Sequence, residues 1–327
     1  MAALNALFDK KRIALTRAKL RAWWEGDEFD EESAVAAIEA SLAEQAAEQA
    51  SEKAAEGADD ALFDEPPYEM PPRLAALALI WGEGRVRPGD ATADGLEPSR
   101  VGIAPDGVLA VLGPGLVAPI EAIAAKHPGK IDVFEWREEV IDALKHGVKK
   151  AKLEERVSVA RIDLEAHVFA PAAYDGLYSV DDFAYCGYPP HLAQQILKCL
   201  KPGACAVAEA YVGLKSDALA TAFASSFAEP QIRAHGDVLQ VLRDTGFAIE
   251  ADEDLTNDFL EMARTGFKLL SEKLASAGGL EPATARELAW EAEAWRMRLK
   301  LLAQRRLERR RFILRRPTDL PAAPNPA

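Results

Sequence analysis

The stretch that decides the fold is "VLAVLGPGLVAPIEAIA", residues 108–124. Five apolar residues (108–112) fit a strand buried on both faces. Gly113-Pro114-Gly115 then makes a turn, and a helix follows over about 117–127. Working outward, the pattern repeats. "KIDVFEW" (130–136) reads as a second strand, followed by the helix "REEVIDALKHGVKKAKL". "RVSVARID" (156–163) is a third strand. "YDGLYSV" (174–180) is a fourth, with a helix near 190–200, and "ACAVAEAYV" (204–212) is a fifth. Strands alternating with helices through short connections predict a doubly wound, mostly parallel α/β sheet covered on both faces. Such sheets bind ligands beyond the carboxyl ends of their strands.

The chain has 327 residues, 49% of them hydrophobic, which suffices for one sizeable core with appendages. No apolar run reaches the ~20 residues of a membrane span, and the N-terminus has no signal-peptide stretch. Cys186, Cys199 and Cys205 lack CxxC spacing, which points away from a disulfide framework or zinc site and toward a reducing cytoplasm. The net charge of −14 is uneven. Residues 25–69 hold sixteen acidic side chains and one lysine. Residues 1–24 carry +5 and residues 296–316 carry +9.

The segment 4–24 has helical apolar spacing with a basic opposite side, and the Ala- and Glu-rich stretch 31–58 reads as a solvated or partly disordered helix. Together they make residues 1–72 a charged helical arm, bounded by the proline-rich "DEPPYEMPPR" (64–73). A protein partner could bind through residues 1–70; the bland reading is a solvated appendage. Past 213, "DVLQVLRDTGFAIEADEDLT" reads as helix, Gly246 stop and strand. Residues 257–308 are mostly helical, broken near "AGGLEPAT", with Trp290 and Trp295 as packing residues. "RRRFILRRP" (309–317) reads as a final edge strand, its arginines discouraging edge pairing. The tail 317–327 reads as disordered. The basic C-terminal region suggests nucleic acid, but the acidic arm would compete for the same arginines, so nucleic-acid binding is not favoured.

Gly113 and Gly115 let the backbone turn tightly and approach a ligand, and the helix that follows offers N–H groups to a negative charge. Glu135 ends the second strand, placed to bind a ribose diol. Asp163 ends the third, within reach of an adenine amino group. Arg137 reads as a surface residue. Two cofactors fit this set. Gly113-Pro114-Gly115-Leu116-Val117-Ala118 matches the dinucleotide fingerprint, with Glu135 suited to an NAD ribose. S-adenosylmethionine also presents an adenine and a diol, without a pyrophosphate.

"CLKPGACAVAEAYV" (199–212) and "YDGLYSVDDFAYCGYPP" (174–190), added to the turn, resemble the class I S-adenosylmethionine-dependent methyltransferases over about residues 74–316. "LIWGEGRVRPGD" (79–90) resembles the segment that closes over the cofactor in the phosphoethanolamine and related small-molecule methyltransferases. The resemblance implies a cofactor-capping segment at 73–107 and a Rossmann-like domain at 108–316, with a helical insertion and an antiparallel last strand. It implies S-adenosyl-L-methionine as cofactor, held by Trp81, Gly82, Glu83, Gly113, Gly115, Glu135, Trp136, Asp163, Leu164 and Ser179. Val111 stands where the family usually has an acidic residue, and Val117 where it has its third glycine. Leu77 and Tyr185 stand where the phosphoethanolamine enzymes have a Tyr–His pair, so that substrate is not implied.

Methyl transfer needs an aligned acceptor and a base only if the acceptor must lose a proton. Tyr185 is the first candidate, then Asp181, with Asp182, Tyr188 and His191 nearby. The leading expectation is methyl transfer to a small molecule. The alternatives are a methyltransferase-like interaction or regulatory module without catalysis, and an NAD-dependent oxidoreductase.

Overall fold

The structure is a computed structural model that describes residues 30, 34–35, 68–94, 102–213, 231–276 and 279–319. The expected helices over 4–24 and 31–58 fall outside the described residues but for 34 and 35, as does the tail from 320 onward. By its internal contacts the chain forms two units. One is drawn from Met1–Ile80 and Phe267–Glu291, the other from Trp81–Gly266 and Ala292–Ala327.

The second unit carries a seven-stranded sheet in the order β3-β2-β1-β4-β5-β7-β6. Its strands are β1 (Val108–Leu112), β2 (Lys130–Glu135), β3 (Val157–Arg161), β4 (Tyr174–Val180), β5 (Leu200–Gly213), β6 (Ala248–Asp254) and β7 (Leu307–Arg315). β1 to β5 pair in parallel, and β7 is antiparallel to both β5 and β6. The order reverses between β1 and β4, so the crevice for a ligand lies beyond their carboxyl ends.

β1 is a strand because it is apolar throughout and has neighbours on both sides, with Leu109 to Leu112 fully buried. The helices α1 (Pro72–Trp81) and α2 (Ala91–Asp94) precede it, and α3 (Val117–Lys126) and α4 (Glu138–Lys150) flank β2. α4 buries Val140, Ile141, Ala143, Leu144, Gly147 and Val148 on one face. Glu138 and Glu139 in its first turn and Lys149 and Lys150 in its last complement the helix dipole. The short α5 (Asp182–Tyr185) turns directly out of β4, and α6 (Pro189–Cys199) follows. α6 and α7 (His235–Thr245) cover one face, where Leu192, Ile196, Val238 and Leu242 join Leu177, Phe169, Phe312 and Leu314 in a single core. The three cysteines are buried free thiols.

The insertion between β6 and β7 consists of α8 (Thr256–Ser276) and α9 (Pro282–Ala303). Glu281 caps α9, its carboxylate accepting from the N–H groups of Ala283 (2.9 Å) and Thr284 (2.8 Å). Within the first unit Leu74, Leu77, Leu270, Leu274 and Leu288 are buried, and Arg73 Nε donates to Glu291 Oε1 at 2.8 Å. No helix among the described residues is long and apolar enough to cross a membrane.

Two expectations need correction. β7 is not an edge strand: it lies between β5 and β6, because its arginines find carboxylates on both neighbours. Arg311 donates to Glu209 of β5, and Arg310 to Asp252 of β6, each at 2.7 Å. Trp295 is buried, but Trp290 is 62% exposed and packs into no core.

Candidate active site

The site is built where β1 and β2 end. Gly113 (φ +62°) and Gly115 (φ +85°) both lie in the left-handed region. A Cβ on Gly113 would fall 2.5 Å from the Val180 carbonyl oxygen, and one on Gly115 2.5 Å from Val86 Cγ2. Only glycine meets both demands, and the turn is thereby held against β4 on one side and the 81–90 segment on the other. The Gly113 N–H donates to the Phe134 carbonyl at 2.9 Å, which ties the turn to β2. The N-cap of α3, Leu116, offers no side-chain cap; the Gly84 carbonyl accepts from the Ala118 N–H instead, at 3.0 Å.

Glu135 is fully buried at the end of β2. Its Oε2 accepts from the Gly115 N–H at 3.0 Å and from Arg137 Nη2 at 2.8 Å. Its Oε1 accepts from the N–H (2.9 Å) and Nε (2.7 Å) of Arg137. Arg137 is therefore no surface residue: it is 6% exposed, and its side chain lies over the turn, donating to the Gly113 carbonyl at 2.8 Å. Burial opposes its charge, but Glu135, helped by Asp181 and Asp182, holds the guanidinium above the ordinary arginine value. The signal for this was in the chain: residues two apart on extended backbone share a side, and Arg137 is extended.

Asp182, also fully buried, joins β4 to the cleft. Trp136 Nε1 donates to its Oδ1 at 2.8 Å and Ser179 Oγ to its Oδ2 at 2.6 Å. Burial pushes its carboxyl up to about 7; nearby Glu135 and Asp181 raise it, while the Ser179 hydrogen bond and Arg137 oppose. Beside this cluster a cavity of about 430 Å³ is lined by Trp136, Arg161, Ile162, Asp163, Leu164, Glu165 and Tyr185. The Trp136 and Tyr185 rings meet at 5.0 Å and 34°. Asp163 Oδ1 accepts from the Glu165 N–H at 2.9 Å.

Gly113, Gly115 and Glu135 are thus bonded together through Arg137, Trp136 and Ser179 are bonded through Asp182, and Trp136 also lines the cavity with Asp163, Leu164 and Tyr185. Upstream, Trp81 buries its ring against Trp295, with centroids 4.6 Å apart. Gly82 begins a turn closed by the Arg85 N–H, and Glu83 stands in solvent, 84% exposed, paired with Lys150 at 2.9 Å. The contacts of this segment with the turn come instead from Gly84, Val86 and Arg87, whose Nη1 donates to the Pro114 carbonyl at 2.6 Å. Asp181 is buried with its carboxylate gripped by Arg309. Tyr188 is 62% exposed, and His191 Nε2 lies 3.2 Å from the His167 carbonyl.

No family model matches the chain, and no curated protein matches it. Solved structures do. Phosphoethanolamine N-methyltransferase 2 of Haemonchus contortus, in complex with phosphomonomethylethanolamine and S-adenosylhomocysteine, superposes with a TM-score of 0.63 at 21% identity, covering 75% of this chain and 57% of its own. The chain thus spans little more than half the length of that enzyme. A protein assigned as a sarcosine dimethylglycine methyltransferase from Galdieria sulphuraria superposes with a TM-score of 0.62 at 13% identity, over 76% of this chain and 98% of its own. The [4+2]-cyclase SpnF follows at 0.57 and 16%, over 75% and 93%. At these identities the likeness is one of architecture: the chain has the Rossmann-like fold of the class I S-adenosylmethionine-dependent methyltransferases.

Proposed function

We propose that the sheet-bearing unit is an S-adenosylmethionine-dependent methyltransferase acting on a small-molecule acceptor. One observation carries the reading: the glycine turn, the buried Glu135 and the cavity of about 430 Å³ stand side by side at the carboxyl ends of β1, β2 and β3. The cavity suits an adenine, with Trp136 and Leu164 on its apolar walls and Asp163 available to the exocyclic amine. Glu135 suits the ribose diol. The cofactor, when bound, supplies an activated methyl group on a sulfonium centre. The chain's part is to orient the acceptor and exclude water. Tyr185, on the cavity wall after β4, is the residue to position the acceptor or take its proton. Asp181 is less suited to that work, because Arg309 holds its carboxylate. Calorimetry with S-adenosylhomocysteine tests the reading: wild type binds, and Glu135→Ala loses at least about tenfold in affinity. No heat at millimolar ligand in wild type or in an Arg137→Ala variant would sink it.

A non-catalytic module of the same fold is the second reading. It is favoured by the turn's polar atoms being bonded within the chain, and a [4+2]-cyclase on this fold is a precedent for other uses. Cofactor binding with no methyl transfer to any acceptor in a broad panel would favour it. A dinucleotide fits less well, since a pyrophosphate would compete with the Gly84 carbonyl for the Ala118 N–H.

A further inference from the structure

The two halves of the cleft differ in what they leave for a ligand. On the base side there is open volume, bounded by Trp136, Asp163, Leu164 and Tyr185. On the ribose side a carboxylate has about four acceptor positions, and Glu135 uses four: three on Arg137 and one on the Gly115 N–H. The Arg137 guanidinium carbon also lies 4.9 Å from the centre of the Trp136 ring, and Nη2 reaches the Gly113 carbonyl. The side chain thus bridges the turn, the strand end and Trp136, one wall of the cavity, and it holds the acceptor positions on Glu135 that a diol would need.

We infer that Arg137 is an internal competitor for the ribose subsite: a nucleoside seats its base in the open cavity and must displace the Arg137 guanidinium to reach Glu135. This rests on the cofactor reading above, and it names the residue that sets how strongly the diol is read. Guanidinium–carboxylate hydrogen bonds are charge-assisted and about twice as strong as neutral ones. Exchanging them for neutral hydroxyl contacts subtracts from the affinity of every ligand that carries the diol. Ligands that carry only the base are spared that loss. Arg137 is thus an affinity- and selectivity-determining residue of the cleft.

Calorimetry with adenosine and 2′,3′-dideoxyadenosine on wild type and Arg137→Ala tests this. The variant is expected to bind adenosine about 10–100-fold more tightly than wild type and dideoxyadenosine within about twofold. Methylguanidinium at millimolar concentration should then compete with adenosine for the variant and leave wild type unaffected. Arg137→Ala strips partners from a buried carboxylate, which costs stability, so a wild-type measurement stands beside it. The Arg137 Nε–H resonance, assigned by its absence in Arg137→Lys, should shift and lose exchange protection with adenosine and stay unchanged with dideoxyadenosine. Equal adenosine affinity in both proteins, or a resonance that both nucleosides leave in place, overturns the inference and leaves the cofactor reading intact. No binding of adenosine or S-adenosylhomocysteine to either protein overturns both.

Discussion

Arg137 and Arg309 are two arginines doing the same chemistry at the same end of the sheet, to different ends. Each is buried, at 6% and 1% exposure; Arg137 grips one carboxylate and Arg309 two. Burial works against the charge on both, and the neighbouring carboxylates more than restore it. Arg309, on β7, pairs with Asp181 after β4 and with Glu209 of β5, the latter at 3.1 Å. Its guanidinium lies 4.8 Å from the Tyr211 ring centre and 5.4 Å from that of Phe259. Its partners come from distant parts of the chain, and one of them, Asp181, is a non-glycine residue held at φ +70°. Arg309 therefore fastens strands and holds a strained corner. Arg137 draws its bonds from its own strand end and the adjacent turn, and its guanidinium lies over Trp136, which lines the cavity. Burial and pairing alone do not separate a structural arginine from a functional one; what could replace it does. Arg309 is enclosed by the strands it joins, at 1% exposure, whereas the proposed ligand takes the positions that Arg137 holds on Glu135.

The contrast can be broken most directly at Arg309. Arg309→Met should cost ~3–5 kcal/mol in denaturant unfolding, because two buried carboxylates lose a partner. A loss under about 1 kcal/mol would mean that the cluster is no clamp, and the distinction drawn from it would go. On the cleft side, Asp182 gives a pH signature. Its folded value of about 7 lies above that of an unfolded aspartate, so the folded state keeps a proton the unfolded chain releases. That contribution is complete below about pH 4 and is lost as pH rises through about 7. Wild-type stability should fall across that window, and Asp182→Asn should flatten the fall by a few kcal/mol, on the order of 3. Thermal unfolding of both proteins from pH 4 to 8 checks it; parallel curves would show that Asp182 ionises freely in the fold. The smallest effect belongs to the rim of the sheet. Glu250 and Arg315 are paired but more than a third exposed, and the Arg315 hydrogen bond draws the Glu250 carboxyl below its usual range. Glu250→Ala should cost under ~1 kcal/mol and less still at high salt. A larger, salt-independent loss would mean that position matters in registering β6 against β7.

The parallel half of the sheet is legible because β1 is an apolar run closed by a glycine turn, and β2 to β5 follow it in regular alternation with helices, a local signal. The same holds for Glu135, the last residue of β2, whereas Asp163 falls just beyond β3, which ends at Arg161. β7 was placed at the edge because seven arginines around "FIL" look solvated. Their acidic partners outside β7, Asp181, Glu209, Glu250, Asp252, Glu253 and Asp254, lie 51 to 128 residues away, and no local pattern reveals a pairing at that distance. Arg137 reads as a surface residue for another reason: residue type outweighs position. A guanidinium two residues beyond a buried carboxylate, on extended backbone, lies on the carboxylate's side of the chain, and that geometry decides its burial. The helix at Pro72–Trp81 was absorbed into the capping segment, since "LAALALIW" is apolar all round and gives little periodicity to read.

The place of β7 bears on how the protein is made. Among the described residues β6 has no strand neighbour other than β7, and β5 presents its far edge to β7 as well. As the polypeptide leaves the ribosome, β1 to β5 can pair in sequence, but β6 emerges with nothing to pair with until Leu307–Arg315 follows. Through the whole synthesis of α8 and α9, the nascent sheet carries a bare edge along β5, from Cys205 to Gly213. Unpaired strand edges invite pairing with other chains. The arginines of the last strand close that gap: they arrive late, matched to acids already waiting on both sides, and complete the sheet in a single insertion.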